Sequence, residues 1–267
     1  MKGRKIMHFF VDEILENEEI KACLSDHDPL AAKGREIAQE MARTGVRAKL
    51  EPGMLPIYVL AYLADDVLKK NSARGIPRQI TVDTLKDVNV WLGNYSLQYG
   101  KPGLAEFAWL SNHYLGKLFC LGRLQFIAVN APADVPAGQF ALETHIPQGK
   151  PLALDACMAS FAQAKDFFAK YFPEKPAEYF ICHSWLLCPN LAKVLNKESN
   201  IVRFMQLWDQ YPCKPDQSAQ AMQRVFGFGF QAAELPNAPE TTSLQKQMKA
   251  YLLGGGDLSA CAGYRKI

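Results

Sequence analysis

The stretch QFALETHIPQGKPLALDACMASFAQAKDFFAKYF, which covers residues 139–172, decides the fold of this chain. Residues 139–146 alternate between two sets of side chains, as in a strand whose two faces differ. From about residue 154 to residue 172 the apolar residues recur at helical spacing, and the prolines at 173 and 176 end that pattern. The stretch therefore predicts a strand, a short turn and an amphipathic helix.

Strand and helix patterns continue on both sides of this stretch. Residues 118–129 are rich in β-compatible types, and together with residues 139–146 they predict a hairpin with a long turn. Further along we expect strands over 179–187, 222–230 and 258–264, a helix from Ser199 or Asn200 to Trp208, and a helix over 241–253. A helix between two strands indicates a right-handed parallel crossover, whereas a hairpin is antiparallel. The predicted sheet is therefore mixed.

The chain divides into two predicted domains. Apolar residues recur at helical spacing up to about residue 116, and Gly100-Lys-Pro-Gly103 is the best candidate for a linker. We predict an all-helical N-terminal domain over residues 1–102. The second domain, residues 103–267, is predicted to be of the α/β (α+β) class, with a mixed, partly antiparallel sheet and flanking helices.

Composition and charge exclude several classes of function. The chain has 267 residues, with 30 Lys and Arg against 27 Asp and Glu, and a net charge of +3 is too small to recruit nucleic acid. Its most apolar window, residues 56–64, is about half as long as a membrane-spanning helix. Seven cysteines form an odd set, and the N-terminal segment lacks the pattern of a signal peptide. We therefore expect reduced thiols and a cytoplasmic protein that binds neither nucleic acid nor membrane.

Two titratable residues share one face of the predicted strand 139–146. Alternation puts Glu143 and His145 on the same side, opposite Leu142 and Thr144. A positioned carboxylate or imidazole serves as a general base. Solvation at the surface, or an ion pair with a neighbour, is the competing interpretation of both residues.

The string Cys182-His-Ser184 contains nucleophilic residue types within a predicted strand. Adjacent strand residues point to opposite faces, so His183 and Ser184 do not enter one pocket together. Covalent catalysis by Cys182 needs a distant base, and a small buried residue is the favoured interpretation of this cysteine. Cys182, His183 and Cys188 lack the paired Cys-x-x-Cys spacing of a zinc site, so we expect no metal.

Six segments carry a resemblance to a known family. They are Leu121-Gly-Arg-Leu-Gln-Phe126, His145-Ile-Pro-Gln-Gly-Lys-Pro-Leu152, Cys182-His-Ser-Trp-Leu-Leu187, Ser199-Asn-Ile201 with Arg203-Phe204, Arg224-Val-Phe-Gly227 and Thr242-Ser-Leu-Gln245. In this order they resemble a family of bacterial two-domain acyltransferases. Its members join a helical N-acyltransferase-type N-terminal domain to a C-terminal domain like that of the GNAT superfamily of acyl-CoA-dependent N-acyltransferases. The resemblance covers residues 103–263 well and the helical first hundred residues loosely.

The resemblance implies a GNAT-like sheet and a place for acyl-CoA. In that superfamily the central strand and the next parallel strand separate and leave a wedge for the pantetheine arm. A glycine-containing loop and a helix N-terminus then bind the pyrophosphate. At the matching place stand Gln148, Gly149 and Lys150, with one glycine where the superfamily pattern has two. These residues are either such a cradle or an ordinary polar turn.

The resemblance also implies roles for individual side chains. Glu143 corresponds to the carboxylate that takes a proton from the amine in several GNAT enzymes. His183 and Ser184 would be polar residues at the wall of the wedge. Asn200 stands at the start of a helix whose N-terminus would bind an anion of the cofactor, although a helix cap is the default role of Ser199 and Asn200.

Three functions fit these residues. The first is an N-acyltransferase that moves an acyl group from acetyl-CoA or another acyl-CoA to a small-molecule or peptide amine, by direct attack in a ternary complex. The second is a non-catalytic ligand-binding or regulatory protein that retains the acyltransferase fold. The third is a thiol-dependent hydrolase that uses Cys182.

Overall fold

The structure is a computed structural model that describes residues 7–136 and 138–267. Contacts between Cα atoms divide the chain into two compact units, the first ending at Leu121 and the second beginning at Gly122. The first unit is helical apart from a short strand at its end, and the second contains the other strands. The domain boundary between residues 102 and 103 stays a prediction.

Helices make up most of the first unit, as the apolar spacing predicts. Its elements are a π-helix (Phe10–Ile14), α1 (Glu18–Cys23), α2 (Pro29–Thr44), α3 (Leu55–Ala73), α4 (Arg78–Leu85), α5 (Val88–Tyr99), α6 (Phe107–Tyr114) and β1 (Leu118–Leu121). The apolar window 56–64 lies in α3, and every residue of it is buried. In the two described ranges, no helix combines the length and the apolar character that crossing a membrane requires.

A mixed sheet with flanking helices makes up the second unit. Its elements are β2 (Leu124–Asn130), β3 (Phe140–His145), α7 (Leu154–Tyr171), β4 (Ala177–Ser184), a 3-10 turn (Trp185–Leu187), α8 (Leu191–Val194), α9 (Asn200–Met205), β5 (Asp209–Tyr211), α10 (Ala219–Phe226), a second 3-10 segment (Ala232–Asn237), α11 (Ser243–Leu253) and β6 (Cys261–Lys266). Within this unit the strands follow the spatial order β2-β3-β4-β6-β5. β3 and β4 are parallel, whereas the pairs β2–β3, β4–β6 and β5–β6 are antiparallel. The predicted class, with a mixed and partly antiparallel sheet, is confirmed.

The strands differ from the predictions in several places, and β6 (Cys261–Lys266) is shifted from the predicted 258–264. Residues 118–129 are divided between two strands, because Gly122 and Arg123 interrupt them, with Gly122 at a φ of 74°. β4 ends at Ser184, where the 3-10 turn begins. The sequence does not predict β5, because three residues are too few for an alternating pattern.

The strand predicted over residues 222–230 is wrong. Most of the segment belongs to α10 and the glycine-containing turn after it. The apolar residues of α10 recur at helical spacing and pack into one cluster with Trp185 and Leu191. Gly227 then ends the helix with a φ of 124°, a conformation that favours glycine.

An aromatic core lies between the sheet and α7. The ring of Phe161, on α7, lies 5.9 Å from Phe126 of β2, 4.8 Å from Phe180 of β4 and 5.7 Å from Trp208, measured between ring centroids. Phe161 itself is 3% exposed. Because the other three rings come from separate segments, this one side chain ties α7 to the middle of the sheet.

We expect Phe161→Ala to lower the free energy of unfolding by about 3–5 kcal/mol, because it leaves a cavity among three rings. Urea unfolding followed by circular dichroism measures this loss. Met158→Ala is the matched control, since Met158 lies on the same helix and is 41% exposed; its cost should stay below about 1 kcal/mol. Equal costs for the two variants would contradict the central position of Phe161.

Candidate active site

Glu143 and His145 lie together on one face of β3, as the alternation predicts. Their side chains are 33% and 25% exposed, and the distance from His145 Nε2 to Glu143 Oε2 is 3.7 Å. In the register of the sheet, Glu143 stands between Ile127 of β2 and Ile181 of β4. These apolar neighbours reduce its hydration, and burial raises the pKa of the Glu143 carboxyl.

The parallel strands β3 and β4 stop pairing in the middle of the site. Their last paired residues are Glu143 and Ile181. β3 nevertheless continues to His145, which pairs with Gln125 of β2, and β4 continues to Ser184 on the other side. Each strand is therefore held by its outer neighbour where the inner pairing has ended. The pairing of β3 and β4 thus ends where the resemblance places their separation.

His183 and Ser184 occupy opposite faces of β4, so they do not meet in one pocket. Strand alternation puts His183 on the face of Ile181 and Glu143, and its side chain is exposed. Ser184 Oγ accepts a hydrogen bond from Leu186 N at 3.2 Å and thereby caps the 3-10 turn. The structure thus brings His183 to the candidate face, whereas the observed contact of Ser184 is structural.

Tyr211 joins the same face from the edge strand β5. It pairs with Ala262 of β6, which in turn pairs with His183. Burial and, next, the negative charge of Glu143 raise the pKa of the Tyr211 phenol. The sequence gives no signal for this residue, because β5 is too short to show which face Tyr211 takes.

The loop after β3 leads directly into the N-terminus of α7. Gln148, Gly149 and Lys150 are all exposed, and Gly149 has a φ of 110°, which disfavours any side chain there. Ala153 holds the N-cap position and offers no side-chain acceptor to the first N–H groups of α7. A helix N-terminus without a side-chain cap attracts anions. Asp155, in the first turn, already supplies one negative charge.

Arg123 holds this loop in place. Its Nε donates to Pro151 O at 2.9 Å and its Nη2 donates to Lys150 O at 2.7 Å. The backbone N–H of Arg123 donates to Ser160 Oγ on α7 at 2.7 Å. The planar guanidinium thus binds two consecutive carbonyls next to the candidate cradle. Sequence reasoning does not find this role, because the arginine and the loop are far apart along the chain.

Asn200 is the first residue of α9, and its side chain is exposed. The cap of α9 is Ser199, whose Oγ accepts from Val202 N at 3.3 Å. The default role of Ser199 is therefore observed. α9 has six residues, and a role of Asn200 in binding a cofactor stays a prediction.

Cys182 is fully buried beneath the candidate face, with 1% of its surface exposed. Burial and the charge of Glu143 raise the pKa of its thiol well above the usual value. A thiol that resists ionisation is a poor nucleophile, so the interpretation as a small buried residue is the better one. Among the described residues, no group of three or more His, Cys, Asp or Glu is arranged to hold a metal ion.

Two family profiles match the chain. A GNAT-like C-terminal domain matches residues 118–265, and an N-acyltransferase N-terminal domain matches residues 9–116. The two matches together reproduce the two-part organisation that the resemblance implies. No curated protein matches the chain.

Several solved acyltransferase structures are similar to this one. An acyltransferase in complex with decanoyl-CoA and teicoplanin has a TM-score of 0.83 and 26% identity, over 97% of this chain and 86% of that chain. A mutant acyltransferase in complex with octanoyl-CoA has the same values. An acyltransferase in complex with CoA and 10C-Teicoplanin has a TM-score of 0.80 and 26% identity, over 93% and 82% of the two chains.

We expect Arg123→Lys to loosen the loop, because a lysine keeps the charge but not the forked geometry. In hydrogen–deuterium exchange, amides of residues 146–153 should exchange about 2- to 10-fold faster than in the unmodified protein. Arg203→Lys is the matched control, since Arg203 is exposed on α9. In that variant the amides of residues 146–153 should exchange at the same rate as in the unmodified protein. Identical exchange in both variants would show that Arg123 does not hold the loop.

Proposed function

This chain belongs to the GNAT-like acyltransferase family, in which an N-acyltransferase N-terminal domain precedes the GNAT-like C-terminal domain, and from that premise we propose that it transfers an acyl group from acyl-CoA to an amine. The observation that carries the proposal is the position of Glu143. This partly buried carboxylate lies at the last paired residue before β3 and β4 separate.

A base at this position answers the main chemical difficulty of the reaction. An alkyl amine is uncharged in only about one molecule in 2500 at pH 7, which costs about 4.6 kcal/mol. In the proposed step Glu143 takes a proton from the ammonium, and the uncharged nitrogen attacks the thioester carbonyl carbon. The C–S bond breaks, and the second proton that the nitrogen loses goes to the departing sulfur, so that CoA leaves as the thiol. The raised pKa of Glu143 makes it a stronger base than an exposed glutamate.

The donor site is proposed on the loop and helix that follow β3. Gln148, Gly149 and Lys150, together with the N-terminus of α7, would bind the pyrophosphate of CoA, and the arm would enter between β3 and β4. An exposed lysine and a helix N-terminus without a side-chain cap suit an anionic group. Asn200 is a further candidate for this cofactor site.

The remaining polar residues are proposed on the acceptor side. His145 lies beside Glu143, and His183 lies on the same face beyond the end of the pairing, so both would contact the approaching amine. Ser184, at the end of β4, would border the separated strands. The similar structures contain decanoyl-CoA, octanoyl-CoA and teicoplanin. We therefore extend the proposal to medium-length acyl groups and to a small-molecule or peptide amine.

One observation favours a second candidate function. The loop 148–150 has one glycine where the superfamily pattern has two, so fewer backbone N–H groups can approach a pyrophosphate closely. A ligand-binding or regulatory protein that retains the fold without acyl transfer would tolerate this difference.

Calorimetry and a thiol-release assay separate the two candidates. Titration with acetyl-CoA, octanoyl-CoA and decanoyl-CoA should give saturable heat with at least one of them. Addition of a panel of amines, including phenethylamine, hexylamine and an amino sugar, should then release free CoA thiol. If an acyl-CoA binds but no amine releases CoA thiol, the result favours the second candidate. If no thioester binds, acyl-CoA is not the donor and the proposed donor site on residues 148–150 is wrong.

We expect Glu143→Gln to lower kcat/KM by about 10²- to 10⁴-fold, because the amide cannot accept the proton. In the unmodified protein kcat/KM should fall as the pH decreases through the raised pKa of Glu143, since only the carboxylate form is a base. The variant should lose this acidic limb.

Glu178→Gln is the matched control for this variant. Glu178 is an exposed glutamate on β4, so the same chemical change there should leave both the rate and the pH profile unaltered. A Glu143→Gln variant with at least a third of the original activity would rule out Glu143 as the base.

A further inference from the structure

Three buried polar atoms in the layer between the sheet and α7 have no hydrogen-bond partner among the described residues: Thr144 Oγ1, Trp208 Nε1 and Arg265 Nε. Arg265 still donates through Nη1 to Met158 Sδ, whereas Thr144 and Trp208 have no other polar side-chain atom. Thr144 is 1% exposed and Trp208 is 7% exposed. A buried polar group without a partner destabilises the folded protein, so several of them in one layer require an explanation.

The register of the sheet aligns Thr144 and Trp208 with the place where the strands separate. Thr144 follows Glu143, the last residue of β3 that pairs with β4, and Cys182 follows the last residue of β4 that pairs with β3. Cys182 pairs with Gly263 of β6. Trp208 covers Gly263 closely, because a Cβ built on that glycine would lie 2.9 Å from Trp208 Cβ. Thr144, Cys182 and Gly263 therefore lie on one face at the level where β3 and β4 stop pairing, and Trp208 packs over Gly263 on that face.

These residues lie on the face opposite to the candidate base. Alternation directs Thr144 away from the side of Glu143, toward the layer under α7. Trp208 belongs to the same layer, since its ring lies 5.7 Å from the ring of Phe161. A ligand that passes between the separated strands therefore meets the two polar groups on one face before it reaches Glu143 on the other.

The chemistry of the two groups specifies what they bind. An indole N–H can only donate, and a threonine hydroxyl can donate or accept. Their common ligand is therefore a hydrogen-bond acceptor. The rings of Phe126, Phe161 and Phe180 line this layer, and the guanidinium of Arg265 lies 4.5 Å over the Phe161 ring. An uncharged carbonyl oxygen accepts from the hydroxyl and the indole N–H without bringing a further charge into the layer.

We infer that Thr144 Oγ1 and Trp208 Nε1 donate to carbonyl oxygens of the acyl-CoA arm. This arm contains two amide carbonyls and one thioester carbonyl, all uncharged. The inference rests on the proposed function, because it takes acyl-CoA as the donor. It adds two side chains to the binding site, and it gives the arm polar contacts that do not depend on the loop 148–150.

A substitution that removes only the hydroxyl tests the inference. Thr144→Val keeps the shape of the side chain, and calorimetry should show decanoyl-CoA binding weakened by about 2- to 10-fold. Thr144→Ser keeps a hydroxyl and should retain most of the affinity. The melting temperature of the ligand-free Thr144→Val protein should stay equal or rise, because an unsatisfied buried group has been removed.

Trp208→Phe removes the indole N–H and keeps an aromatic ring. This variant should also bind decanoyl-CoA more weakly. The melting temperature of the ligand-free variant measures how far the smaller ring alone destabilises the fold. Free CoA serves as a second ligand, because it has the two amides but no thioester. Equal losses for CoA and decanoyl-CoA assign the contacts to amide carbonyls, and a loss for decanoyl-CoA alone assigns them to the thioester carbonyl.

The outcomes distinguish failure of the inference from failure of the proposed function. Unchanged affinity in Thr144→Val and Trp208→Phe, with the unmodified protein still binding decanoyl-CoA, overturns the inference alone. A lower melting temperature of ligand-free Thr144→Val with unchanged affinity shows a structural role and also overturns it. No binding of CoA or decanoyl-CoA by the unmodified protein overturns the proposed donor, and the inference with it.

Discussion

The end of hydrogen bonding between β3 and β4 is the constraint on which the candidate site depends. Pairing stops at Glu143 and Ile181, although both strands continue. The strands remain ordered because β2 pairs with β3 as far as His145 and β6 pairs with β4 as far as Ser184. Backbone N–H and C=O groups of residues 144–145 and 182–184 that face the other strand are thus available to a ligand. The hydrogen bonds of β2 to β3 and of β4 to β6 remain intact.

The two faces of the sheet give the separated strands different chemistry. One face is packed with rings under α7 and contains the unpartnered donors of Thr144 and Trp208. The other face carries Glu143 among apolar neighbours, which raises the pKa of its carboxyl. A thin donor molecule can therefore be bound mainly on one face and react on the other. In the proposed reaction this division would keep the Glu143 carboxylate accessible to an amine.

Alternation and helical spacing predict the parts of the site that depend on local sequence. They predict correctly that Glu143 and His145 share a face, that His183 and Ser184 do not, and that an amphipathic helix follows β3. The motifs of residues 121–245 add the family and, through it, the separated strands. Local patterns fail over residues 222–230, because the phenylalanines at 226, 228 and 230 alternate as in a strand although α10 extends to Phe226.

Contacts between distant segments account for what the sequence does not predict. Arg123 binds the carbonyls of Lys150 and Pro151, and Tyr211 reaches the face of Glu143 through a strand of three residues. The polar atoms of Thr144 and Trp208 are notable only because tertiary packing buries them without a partner. None of these features leaves a periodic pattern in the sequence, since each arises when separate elements are brought together.

A crystal structure of the full chain with decanoyl-CoA tests the central claim most directly. The account predicts that the pantetheine arm lies between residues 144–145 of β3 and residues 182–184 of β4, with the thioester on the side of Glu143. An arm bound elsewhere, while β3 and β4 are hydrogen-bonded to each other up to Ser184, would contradict it.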